Sequence, residues 1–209
     1  MARRIAFHAV LAYLLGSIPF AYVVGYLVKG VDIRRIGDGN VGARNTARHV
    51  SPLAGVCVAL LDIAKGSVAT LLAQATGLPR WWVLFIGLIA VLGHDFMIFL
   101  GFQGGQGMAA TVGVLVVLLP MPTAIGVAIG LSMWRLLHIN WDLSAAVGLG
   151  AIPLLAWIAR LPVELVLYPA VLLSIVGVMK LVHTYTRHNA LLCSTHQEET
   201  ASQESSPQK

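Results

Sequence analysis

The sequence predicts an all-α fold, a polytopic membrane bundle of seven transmembrane helices. Three observations carry this. Hydrophobic residues make up 57% of the 209 and charged residues only 11%, against roughly 25% charged in a soluble domain. Mean hydropathy is +0.80. The apolar residues fall into segments close to the ~20 residues that cross a bilayer as a helix. Short stretches rich in Gly, Asn and Arg separate them.

The first segment runs over about 5–28. Its start, "MARRIAFHAVLAYLLG", opens like a signal peptide, but no small-x-small cleavage site follows and the apolar run passes Pro19. It is therefore read as a membrane helix. The second segment covers about 52–76 and contains Asp62 and Lys65. The third covers about 81–100, opening on Trp81 and Trp82. The stretch 108–137 is too long for one ordinary span. "LPMP" at 119–122 divides it, because proline lacks a donor and clashes with the preceding turn. The last two segments cover about 143–159 and 163–183, joined by "ARLP". Residues 1–192 form the membrane domain. The remainder, 193–209, is polar without apolar periodicity and is predicted to be disordered from about 198.

Lys and Arg near helix ends set the orientation. With the N-terminus outside, the inner side holds Lys29, Arg34, Arg35, Arg44, Arg48, Arg135, Lys180 and Arg187. The outer side holds Arg3, Arg4, Arg80 and Arg160. Eight against four predicts N-out and C-in. That topology gathers loops 29–51, 101–107 and 138–142 and the end of the last helix on one membrane face.

The net charge of +5 goes with basic residues at the ends of apolar segments. Such charges suit lipid headgroups or a phosphorylated substrate. The aromatic-interleaved basic patch of a nucleic-acid binder is missing, so no nucleic-acid partner is expected. Cys57 and Cys193 are far apart and form no C-x-x-C, and H-E-x-x-H is absent. No metal site is expected.

Five stretches carry chemistry. "GDGNVGARNTAR", 37–48, contains G-x-G-x-x-G between membrane segments. Without a βαβ unit a dinucleotide fold is discarded. The glycines still let backbone N–H groups approach an anion. Arg44 and Arg48 are one helical turn apart and placed to face one phosphate, with the Asn45 amide beside them. In "LLDIAKGS", Asp62 and Lys65 are three residues apart and expected to face the bundle interior, as a structural pair or a site pair. In "LGHDFMIFLGFQGGQG", His94 reads as a buried, hydrogen-bonded histidine. Gly104, Gly105 and Gly107 form a second N–H-rich turn opening a helix at Met108. "KLVHTYTRHNALL" clusters His183, Arg187, His188 and Asn189 where the last span ends. "SMWRLLHINWDLS" contributes Arg135, His138, Asn140 and Asp142.

These motifs resemble, in order and spacing, those of the bacterial acyl-phosphate:glycerol-3-phosphate acyltransferase family. "YLLGSIPFAYVVG" resembles its first helix and "GDGNVGARNTAR" its G-S-G-N-x-G-A-T-N-x-x-R loop. "LDIAKG" resembles its D-x-x-K-G, and "GHDFMIFLGFQGGQGMAAT" its G-H-x-F-P-x-F-L-x-F-K-G-G-K-G-V-A-T. The resemblance covers about 11–112 well and the rest loosely. It implies a multi-pass protein of the bacterial inner membrane, needing no cofactor. Its partners would be acyl phosphate, glycerol 3-phosphate and membrane lipids. It would transfer a fatty acyl group from acyl phosphate to the 1-hydroxyl of glycerol 3-phosphate, giving lysophosphatidic acid.

The resemblance assigns Asp38, Gly39, Asn40, Gly42, Arg44, Asn45 and Arg48 to a phosphate site. Gln103, Gly104, Gly105, Gln106 and Gly107 would form its second loop. Asp62, Lys65 and His94 would lie behind it. Arg44, Arg48, His183, His188 and Asn189 are candidates for catalysis, and Glu198 matches a later glutamate. The chain departs from the family at marked places. Asp38 replaces a serine, Arg44 a threonine, and Gln103 and Gln106 two lysines. Met97 replaces a proline. Asp142 falls where a serine is expected and Thr186 where a histidine is. Two other readings follow from these departures or from composition. One is a family-fold protein that has lost this transfer and binds another polar lipid or phosphorylated acceptor. The other is a small membrane transporter component.

Overall fold

The computed structural model describes the backbone of residues 1–204 and the side chains of residues 1–185. Among these there is no strand. The described residues form nine α-helices: α1 (Ala2–Gly16), α2 (Phe20–Lys29), α3 (Ala43–His49), α4 (Pro52–Ala75), α5 (Arg80–Asp95), α6 (Met108–Leu118), α7 (Pro120–Arg135), α8 (Trp141–Ile158) and α9 (Val163–Glu204). The predicted division at residue 193 falls where side chains lie outside the described residues. Among the described residues, five helical segments are long and apolar enough to cross a membrane: Ala2–Lys29, Pro52–Ala75, Arg80–Leu100, Trp141–Ile158 and Val163–Tyr185.

Two segments differ from the sequence expectation. The first is not one continuous helix. It breaks at Ser17–Pro19, where Pro19 has no N–H to give. The third stops at Asp95 rather than running to 100. The following loop folds back and the Gly105 N–H donates to the His94 carbonyl at 3.0 Å. The break at the prolines occurs where predicted. Leu119 leaves helical geometry (φ −138°, ψ 60°) and Pro120 starts α7.

Burial runs opposite to that of a soluble protein. Large side chains such as Phe7, Leu27, Leu53, Trp81, Phe99 and Trp157 are exposed, as a lipid-facing surface requires. Helices meet instead through small residues, which let backbones approach closely. Gly16 of α1 lies against Ala90 and Gly93 of α5. Gly66 of α4 packs on Ala110 of α6, and Gly130 of α7 on Gly148 of α8. Hydrogen bonds tie the first two of these pairs. Ser17 Oγ donates to the Gly93 carbonyl (3.2 Å) and Ser67 Oγ to that of Gly113 (2.9 Å).

Asp62 and Lys65 are both buried and paired at 2.9 Å. Lys65 Nζ also donates to the Ile18 carbonyl at 3.2 Å. That carbonyl sits at the helix break, so the lysine pins the bend of the first segment onto α4. Lys65→Met leaves the Asp62 charge unpaired inside the bundle. Breaking such a buried pair typically costs about 3–5 kcal/mol. Thermal denaturation of the variant in detergent should show a clearly lower melting temperature; an unchanged one would remove Lys65 from this role.

Candidate active site

The segment between α2 and α4 folds around one side chain. Asp32 begins a 3₁₀ turn (Ile33–Arg35) by accepting from the Arg34 N–H at 3.0 Å. It also pairs with the Arg34 guanidinium at 2.7 Å. That guanidinium hydrogen bond holds the Asp32 carboxyl below its usual range. Arg34 stacks over the Tyr22 ring at 5.2 Å, which fixes the turn to α2.

Asn45 is 1% exposed. Its amide nitrogen donates to the carbonyls of Ile33 (3.1 Å), Ile36 (3.0 Å) and Asn40 (3.1 Å). Its Oδ1 accepts from the Asp38 N–H at 3.4 Å. Two amide hydrogens serving three carbonyls leave none for a phosphate. Asn45 therefore shapes the loop from behind rather than donating to a ligand, which corrects the role expected from its position beside Arg44. Gly37 turns over it with φ +61°, and a Cβ there would strike Asn45 Oδ1 and the His49 ring. The Asp38 carboxylate accepts from the Asn40 N–H at 3.1 Å, closing the tip of the loop. Asn40 is buried, and its Oδ1 has no hydrogen-bond partner among the described residues.

The two arginines of α3 part company. Arg44 Nη1 donates to Asp142 Oδ1 in α8 at 2.7 Å. Arg48 is exposed and has no ion pair among the described residues. The sequence places both against one phosphate; in the structure only Arg48 is uncommitted.

The second loop lies directly against the first. Gly104 packs on the carbonyls of His94 and Asp95. Gly105 is wedged between the His94 ring and the Val41 carbonyl oxygen, and a Cβ would stand 2.9 Å from that oxygen. Gly107, with φ +68°, sits over the Asp95 carboxylate and begins α6. No side chain caps the start of α6, so N–H groups of its first turn are unused. His94 is 3% exposed and its Nδ1 lies 3.6 Å from Asp62 Oδ1. The order from the interior outward is thus Lys65, Asp62, His94, Gly105. Gln103 is exposed and Gln106 half-buried.

The last helix closes the face. His183 is within electrostatic reach of the Gly105 backbone and of Asp38. Lys180, one turn earlier, pairs with Asp142 Oδ1 at 2.9 Å. Gly39, Asn40, Gly42, Gly104, Gly105, Gly107 and His183 therefore come from three separated stretches to one end of the bundle. His188 and Asn189, with Arg187 and Glu198, lie outside the described side chains.

Two residues at this end carry no site role in the sequence reading. Lys180 was visible only as a positive charge near a helix end, although its i,i+3 spacing to His183 puts both on one face. Asp95 is 1% exposed, and neither carboxylate oxygen has a hydrogen-bond partner among the described residues. An aspartate next to His94 in an apolar segment was the available signal.

A glycerol-3-phosphate acyltransferase of Dehalococcoides mccartyi is 47% identical over 121 residues, 58% of this chain. The matched stretches span 65%, 55% and 57% of three curated relatives, so the chain aligns with less than two thirds of their length. Among solved structures, an integral membrane glycerol 3-phosphate acyltransferase, PlsY, in its glycerol 3-phosphate form superposes with a TM-score of 0.76. It is 33% identical, over 91% of this chain and 93% of that one. Its lysophosphatidic acid form superposes equally well, at 32% identity. The family model described as glycerol-3-phosphate acyltransferase matches residues 6–193, and this integral membrane, all-helical chain belongs to that family.

Proposed function

We propose that this protein transfers a fatty acyl group from acyl phosphate to the 1-hydroxyl of glycerol 3-phosphate in phospholipid biosynthesis. The observation that carries this reading is the wedge at Gly105, where the two glycine loops touch each other. Two phosphates have to be brought together for this reaction, and two adjacent N–H-rich loops suit that task.

In this reading glycerol 3-phosphate sits on loop 37–48, and the acyl phosphate enters from the lipid with its phosphate near 103–107. The hydroxyl oxygen attacks the acyl carbon and the bond from that carbon to the phosphate oxygen breaks. The hydroxyl proton passes to the departing phosphate, so the reaction needs no protein base. Arg48 and backbone N–H groups stabilise the charge that builds on oxygen. The protein would cross the bacterial inner membrane seven times, N-out and C-in, with this face in the cytoplasm and no cofactor.

The direct test is purified protein in lipid with labelled glycerol 3-phosphate and palmitoyl phosphate. Labelled lysophosphatidic acid is the expected product. None, with a relative active in parallel, would sink the proposal and favour a protein of the same fold that binds another phosphorylated acceptor. Gln103 and Gln106 favour that second reading, because neither carries charge. If the proposed transfer holds, Gln103→Lys with Gln106→Lys should leave turnover intact or raise it, read as initial rate at saturating acyl phosphate. A fall would show that the glutamines themselves suit the substrate.

A further inference from the structure

We propose that Arg44 and Lys180 form a binding site for a phosphate monoester group, and that Asp142 occupies this site until the phosphate displaces it. This rests on reading the face as a phosphate-handling site. Arg44 Nη1 and Lys180 Nζ converge on the same atom, Asp142 Oδ1, at 2.7 and 2.9 Å. The three residues come from α3, α9 and the first turn of α8. One negative charge thus serves two positive ones. Arg48, one turn from Arg44, adds a third positive charge nearby.

The clasp is open to water. The side chains of Arg44, Asp142 and Lys180 are 32%, 41% and 39% exposed. Ion pairs this exposed are weak and exchange readily. Arg44 is also incompletely used. Its Nε is buried and has no hydrogen-bond partner among the described residues. A phosphate supplies several oxygens and two charges where Asp142 Oδ1 supplies one shared acceptor. It can take Nη1 and Nη2 at the end of the guanidinium fork while a third oxygen meets Lys180. Lys180 and His183 are three apart on α9 and share a face, and His183 is within electrostatic reach of the Gly105 backbone, which sets the clasp on the side of the glycine loops.

The test is Asp142→Asn, which keeps shape and removes the competing charge. Protein in discs of zwitterionic lipid is titrated with inorganic phosphate and with glycerol 3-phosphate. The dissociation constant should fall about tenfold, since a like charge leaves the site. A second arm puts phosphatidic acid in the disc instead of soluble ligand. Tightening in the first arm assigns the site to a soluble acceptor, and a response in the second arm alone assigns it to a lipid headgroup; either upholds the site. Equal or weaker binding in both arms overturns it and makes the clasp purely structural. Should Asp142→Asn not fold, Lys180→Gln decides: unchanged phosphate binding overturns the proposal, and binding weakened about tenfold supports it. The acyl-transfer assay is read separately, so absent turnover in the unmodified protein counts against the proposed reaction alone.

Discussion

Replacing Arg48 by alanine is expected to lower kcat/KM for acyl transfer about 30- to 1,000-fold. Gln103 and Gln106 are neutral, and Arg44 is held by Asp142 at 2.7 Å. Arg48 is exposed on the same turn-spaced face of α3, with no ion pair among the described residues. Its guanidinium is a charge available, before any exchange at Asp142, to offset the repulsion between two phosphates. Losing one preorganised contact to the developing charge is worth roughly 2–4 kcal/mol. Arg48→Lys should recover part of the loss, because the charge returns without the planar fork. The measurement is initial rate against both substrates, with melting temperature as a check on folding. Full activity in Arg48→Ala would move the charge-stabilising role elsewhere.

Gly105→Ala is the second large effect. The added methyl would meet the His94 ring on one side and the Val41 carbonyl on the other. Backbone cannot yield there without moving one glycine loop off the other. Overpacking of this kind costs about 1–3 kcal/mol of stability. The larger effect falls on turnover, because a displacement of about 1 Å between reacting groups can lower the rate roughly 100-fold. Gly150→Ala is the matched control, since a Cβ there meets nothing within 4 Å. Activity and melting of the two variants are measured side by side. Gly105→Ala with normal turnover would mean that the loop contact is not what sets the reaction geometry.

Much of the architecture is written in the order of residues. Apolar runs place the membrane helices, because burying unpaired backbone in lipid leaves helices as the economical solution for such segments. The helix break at Leu119 follows from Pro120 and Pro122, a local steric effect. The glycine loops are likewise local signals, and their membership in one site follows from the alternation of membrane segments. What the sequence left open is where side chains point.

Asn45 illustrates the difference. Its residue type and position suggested an amide offered to a phosphate, yet folding of the 3₁₀ turn brings three carbonyls within 3.1 Å of that amide. Arg44 is the sharper case. Its partner Asp142 is 98 residues away in the chain, and Lys180 lies further still. No spacing rule relates such positions. By itself the sequence determined the helices, the loops and the family, all of which depend on short-range pattern. The tertiary structure alone decided which cations are free and which are held, because that depends on how α3, α8 and α9 pack together.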